Sequence, residues 1–197
     1  MKKHLTALLI TLALCVGTAW AGDFEDGVAA HEKKDFTTAV RKYKSAAAQG
    51  NTSAQINLGF MYRNGQGVVQ DYAEAMSWFK LAAAQGYAQA QTDVGYMYSE
   101  GQGVIQDYAE AVRWYKLAAA QGMAEAQSNL GMMYGNGAGV VQDYLRAHMW
   151  FNLAAAVGHS TAVTGRDLVA KLMTQQQVAE AQKLARECQA RNFKNCD

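Results

Sequence analysis

"YAQAQTDVGYMYSEGQGVIQDYAEAVRWYKLAAAQG", Tyr87 to Gly122, decides the fold of this 197-residue chain, because nearly the same stretch comes before it and after it. Asn51 to Gly86 reads "NTSAQINLGFMYRNGQGVVQDYAEAMSWFKLAAAQG" and Met123 to Gly158 reads "MAEAQSNLGMMYGNGAGVVQDYLRAHMWFNLAAAVG". Gly50, Gly86, Gly122 and Gly158 therefore close successive units at a spacing of 36 residues. A fixed period of this size is the signature of stacked supersecondary units, each too small to bury its own apolar face.

Each unit reads as two helices. In the first, Ala54, Leu58, Met61 and Tyr62 share a face at helical spacing, as do Ala90, Val94, Met97 and Tyr98, and Ala126, Leu130, Met133 and Tyr134. In the second, Tyr72, Ala75, Phe79, Ala82 and Ala83 do the same. Asp71, Asp107 and Asp143 stand where an N-cap is needed, with Glu74 and Glu110 placed to complete capping boxes and Arg146 breaking the pattern. Gly86, Gly122 and Gly158 fall where a left-handed residue ends a helix, and Gly65-Gln66-Gly67 with its two repeats marks the connection between helices. Gly59, Gly95 and Gly131 lie inside the first helix, at a cost of about 1 kcal/mol each against alanine. Their shared phase predicts a close backbone approach by the neighbouring helix, which a side chain would block.

These residues spell A-x-x-x-L-G-x-x-Y-x-x-G-x-G-V-x-x-D-Y-x-x-A-x-x-W-x-x-x-A-A-x-x-G, filled in the first full copy by Ala54, Leu58, Gly59, Tyr62, Gly65, Gly67, Val68, Asp71, Tyr72, Ala75, Trp78, Ala82, Ala83 and Gly86. The pattern resembles the Sel-like repeat family, relatives of the tetratricopeptide repeats. The resemblance covers Asn51 to Gly158 and implies an all-α, right-handed α/α solenoid of about five antiparallel helix pairs with a C-terminal capping helix. Family loops often carry proline after Gly-x-Gly-Val; this chain has Val69, Ile105 and Val141 there, and no proline anywhere.

The flanks read as caps. Residues 22–50 hold a shortened helix pair, with Asp35-Phe36 at the place of Asp71-Tyr72 and Gly27 lying 32 residues before Gly59. Repeats follow at 51–86, 87–122 and 123–158. In 159–197 the period stops, with Arg166, Asp167 and Ala170 standing in for Leu, Gly and Tyr. Thr174 with Gln177 signals a capping box there, and Val178, Ala181, Ala185 and Cys188 make the stripe of a last helix.

Residues 1–21 read as an export leader: Lys2 and Lys3, a short apolar run from Leu5 to Val16, and Ala19-Trp20-Ala21 as the cleavage site. The run is short of the roughly 20 residues that a stable membrane span takes. Export, to the periplasm or beyond the cell, is the expectation. Past the leader two cysteines remain, Cys188 and Cys196, and an oxidising compartment suits them as a disulfide. A redox or metal site would call for CxxC spacing or nearby histidines, and the chain offers neither.

Chemistry finds little purchase. Without Lys2 and Lys3 the chain carries 16 basic and 17 acidic side chains, so it lacks the basic stripe that nucleic acid requires. The glycine loops have no Gly-Lys-Ser/Thr and follow no strand, which argues against nucleotide phosphates. His31, His148 and His159 form no i,i+4 ligand pair, and no Gly-x-Ser-x-Gly elbow is present. No metal, cofactor or catalytic set is expected, and the chain is not read as an enzyme.

What varies on the fixed scaffold is one face of the first helix: Ile56, Asn57, Phe60 and Arg63, then Thr92, Asp93, Tyr96 and Ser99, then Ser128, Asn129, Met132 and Gly135. The resemblance implies that this face is concave, with Phe60, Tyr96 and Met132 as an apolar ladder for a protein or peptide partner, the patch such sites present; the alternative is that these side chains pack against the neighbouring repeat. Leu81, Leu117 and Leu153 form a second stripe on the second helix, away from its core face. The expected function is a non-catalytic interaction scaffold of the cell envelope or exterior. Its rival is binding of peptidoglycan, or binding or hydrolysis of β-lactams. That activity belongs to a branch of the family with a cysteine pair in each repeat, and such pairs are absent before Cys188.

Overall fold

The computed structural model describes residues 22–196; the expected leader lies outside the described residues. Among them are ten helices and no strand: α1 (22–32), α2 Phe36–Ala47, α3 Thr52–Asn64, α4 Tyr72–Ala84, α5 Ala88–Glu100, α6 Tyr108–Ala119, α7 Ala124–Asn136, α8 Tyr144–Ala156, α9 Ser160–Ala170 and α10 Gln175–Ala190. The all-α expectation holds. The chain divides into two compact units, one ending at Ala82 and one beginning at Ala83.

The first unit gathers Val40, Tyr43, Leu58 and Met61 into one cluster with the alanines of α2 and α3. Burying each of the larger side chains contributes about 1.5 to 3 kcal/mol. In the second unit α5 packs on α6, α7 on α6 and α8, and α9 on α8, around Val112, Tyr115, Leu130 and Phe151. Alanine fills the contact positions of the second helices, so their axes can close on their partners.

Glycine inside the first helix is explained by a ring. A Cβ on Gly59 would lie 2.5 Å from the ring of Phe79, one on Gly95 2.7 Å from Tyr115, and one on Gly131 2.7 Å from Phe151. The aromatic side chain of the second helix occupies the space a Cβ would need on the glycine of the first; the expected backbone approach is made mainly by a side chain, joined at Gly95 by the Ala111 carbonyl at 3.2 Å. Backbone meets backbone in the loops instead. A Cβ on Gly67 (φ 71°) would lie 2.5 Å from the Phe36 carbonyl, and one on Gly139 (φ 72°) would run into the carbonyl of Tyr108.

Asp71, Asp107 and Asp143 cap their helices, accepting from the amides of Glu74, Glu110 and Arg146. The reciprocal half of the expected boxes does not form. Glu74 accepts from the indole of Trp78 and Glu110 pairs with Arg113, because both side chains point along the helix toward residues three and four ahead. At α10 the box closes both ways, Gln177 N to Thr174 Oγ1 at 3.2 Å and Thr174 N to Gln177 Oε1 at 2.8 Å.

Two glutamine series complete the design. Gln70, Gln106 and Gln142 each donate across their loop to the carbonyl of Arg63, Ser99 or Gly135, at 2.7 to 2.8 Å. That brace holds the loop where the family often has proline, and leaves Val69, Ile105 and Val141 about nine-tenths exposed. Gln55, Gln91 and Gln127 are buried and donate to Ala47, Ala83 and Ala119, satisfying carbonyls at the end of the preceding helix.

The C-terminal unit departs from the repeat. Helix α10 packs against α8. Cys188 and Cys196 are joined, as expected, closing a tail whose Phe193 ring stands 3.0 Å from where a Cβ on Gly122 would be.

Candidate functional site

The ladder positions surface, but their flanks do not all follow. In the first unit Phe60 is half-buried, its ring edge-on to Phe79 at 5.1 Å, and the Arg63 guanidinium lies over it at 4.8 Å. Asn57 hydrogen-bonds the Tyr43 hydroxyl, and both line a 430 Å³ pocket with Phe60, Val28 and His31. Burial pushes the Tyr43 phenol up. Ile56 is half-buried beside them.

In the second unit Tyr96 and Met132 are exposed, at 40% and 37%. Thr92, Asp93, Ser99 and Ser128, expected to face a partner, are buried instead and present no surface to one. Tyr96 lies on a narrow exposed line of α5, and residues three or four positions away fall on closed sides of the helix. Thr92 donates to the Ala88 carbonyl and Ser99 to that of Tyr96, which is how small hydroxyls are accommodated inside a helix contact. Asp93 accepts from Gln89 at 3.2 Å. Ser99 also approaches the Tyr115 hydroxyl, whose pKa burial pushes up to about 12.

Two pockets share Met132 and Asn136 as a common wall. One, of 390 Å³, is bounded by Tyr96, Tyr108, Glu100, Asn129 and Met133. The other, of 660 Å³, has Gly131, Gly135, Phe151 and Gly165 among its lining residues, together with Leu168, Leu172, Thr161 and Lys171. Gly135 takes the register of Arg63 and Ser99, so no side chain fills the second pocket there. Leu168 and Leu172 were not foreseen: they lie past the last periodic residue, where spacing carries no signal. Gly135, by contrast, was legible from its register on the variable face. Among the described residues no three His, Cys, Asp or Glu side chains gather as a metal site would need.

Two helices, an aromatic ring on a helical glycine and a glycine loop, repeated at 36 residues, describe one family, and the Sel1 repeat profile matches residues 24–51, 52–87, 88–123 and 124–159. The chain belongs to the Sel1 repeat family. Sel1 repeats thus begin in the segment read as an N-terminal cap. Among solved structures the chain is similar to a Sel1 repeat protein from Oxalobacter formigenes, at 28% identity and TM-score 0.71, over 84% of this chain and 75% of that one. It is similar too to c5321, a protective antigen of uropathogenic Escherichia coli with a Sel1-like repeat fold, at 26% identity and TM-score 0.60. There it covers 79% of this chain but only 42% of the antigen. The MamA protein, at 19% identity and TM-score 0.53 over 89% of this chain and 96% of that one, shares the fold. No curated protein matches the chain. The Sel1 repeat solenoid is a scaffold fold suited to protein interaction, and no described helix is long and apolar enough to cross a membrane.

Proposed function

We propose that this Sel1 repeat protein is a non-catalytic binding module that holds a partner protein or peptide along the first helices of its second unit. Apolar side chains of the partner fill the two pockets on either side of Met132. The observation that carries this reading is the pair itself: adjoining apolar hollows with a few hydrogen-bonding groups at their edges, the make-up of a site that anchors side chains. Phe60 under Arg63 supplies a smaller contact of the same kind in the first unit. Export to the periplasm or the medium belongs to the proposal and is supported by the leader-like 1–21 and the Cys188–Cys196 bond.

Peptides selected from a random display library against the full chain test it. Enrichment of apolar residues is expected, with binding weakened at least tenfold by Met132→Lys while helicity and melting stay as in the parent. Selected peptides indifferent to Met132→Lys would reject the site. Sedimentation with purified peptidoglycan, undiminished by Met132→Lys, would favour a cell-wall ligand.

A further inference from the structure

One face is covered in one repeat and largely open in the one before it. On α8, Met149 and Leu153 stand opposite the Ala147, Phe151 and Ala154 face with Trp150 at its edge, yet their exposures are 1%, 5% and 3% in that order. They belong to one apolar cluster with Ala185 and Cys188 of α10, the helix that lies on α8. On α6 the corresponding residues are Arg113, Trp114 and Leu117. Arg113 has three-quarters of its side chain in solvent, Trp114 is half-buried and Leu117 is 52% exposed. The same register in the first unit leaves Ser77 exposed and Leu81 at 50%, while Trp78 is half-buried against that unit's core.

We infer that the outer face of α6, centred on Trp114 and Leu117, docks an amphipathic helix of a partner protein as α10 covers the matching face of α8. The scaffold beneath is the same, so the shape that receives α10 recurs one repeat earlier. Helix α10 shows what fits: small residues, Ala181, Ala185 and Cys188, spaced by four and three, which let a helix come close over a Trp-Leu ridge. The patch also continues an existing interface. The tail after α10 seats Phe193 on Gly122, just past the C-terminal end of α6 and one turn and a residue from Leu117. Arg113 in place of Met149 makes the α6 copy the less apolar of the two, as a reversible site needs to be beside one that forms part of the core. This surface is separate from the pockets at Met132.

The test uses a fluorescent peptide of residues 174–190 carrying Cys188→Ala, titrated into the full chain with its disulfide intact and followed by anisotropy. Saturable binding is expected, weakened at least tenfold by Leu117→Asp and by Ala181→Asp in the peptide, and unchanged by Met132→Lys. Should Leu117→Asp lower helicity, Leu117→Ser is read in its place, with at least a threefold loss expected. No saturable binding, or binding that ignores both Leu117 variants as exchange with α10 on α8 would, overturns the proposal. So does a dimer by light scattering that Leu117→Asp splits, which would give the face to a second copy.

Discussion

Gly131→Ala sets two known effects against each other. Alanine inside a helix is favoured over glycine by about 1 kcal/mol. Here its Cβ would stand 2.7 Å from the Phe151 ring, and that ring has no way to retreat, since a Cβ on Gly165 would meet it at 2.6 Å. Phe151 is 3% exposed, so relief has to come from backbone shifts, which cost about 1 to 3 kcal/mol in a packed core. The steric term outweighs the helix gain over nearly all of that range, for a net loss of up to about 2 kcal/mol. That lowers the melting temperature by up to about 8 °C in a chain of this size. Gly135→Ala, four residues on, is the control: its nearest neighbours would be 3.7 and 3.9 Å away, an ordinary contact, so it should gain up to about 1 kcal/mol. Urea unfolding of both variants, with Gly131→Ala/Phe151→Leu closing a double-mutant cycle, reads the result; the smaller side chain should recover at least about 1 kcal/mol of the loss. A Gly131→Ala protein as stable as Gly135→Ala would show that the ring does not enforce glycine.

His148 is buried with Nδ1 unpartnered, where the earlier repeats have Met76 and Val112. Burial, then the nearby Arg166, hold it below its ordinary 6.5, against a smaller pull from Asp167. The unfolded chain therefore takes up the proton first, and stability falls as pH drops below 6.5. His148→Met should flatten the decline in melting temperature between pH 7 and 5. Opening the Cys188–Cys196 bond, by Cys188→Ser or by reductant, should cost about 2.5 kcal/mol from the small loop it closes. Protease should then cut first after Lys194 or Arg191, which mass spectrometry would show.

The period of 36 made the helix pairs, their aspartate caps and the glycine ends legible, because each is a local requirement repeated in register. What the repeat does not encode was legible only in part. Past Gly158, where the pattern ends, the last helix, its Thr174 and Gln177 capping box and its Ala181, Ala185 and Cys188 stripe could be read, but not its seat on α8. The burial of Thr92 and Ser128 depends on how tightly flanking helices close, and a hydroxyl that can bond its own backbone leaves no trace of that in its spacing. Gln55, Gln91 and Gln127 were visible as a series, but a polar side chain in core phase reveals its role only when the carbonyl it meets is known. At the candidate site, Tyr96 and Met132 were legible as variable apolar residues on a constant frame; the hollow beside them needed Gly135 and Leu168 placed in space.

In the second unit, Gly139 presses its loop onto the main chain of Tyr108. Main chain is common to every amino acid, so this joint sets the step from one hairpin to the next without consulting the outward residues. Those residues can be exchanged wholesale while the step stays fixed. Evolution, or an engineer, can rewrite what such a surface recognises and leave its geometry alone, so long as that one glycine is kept.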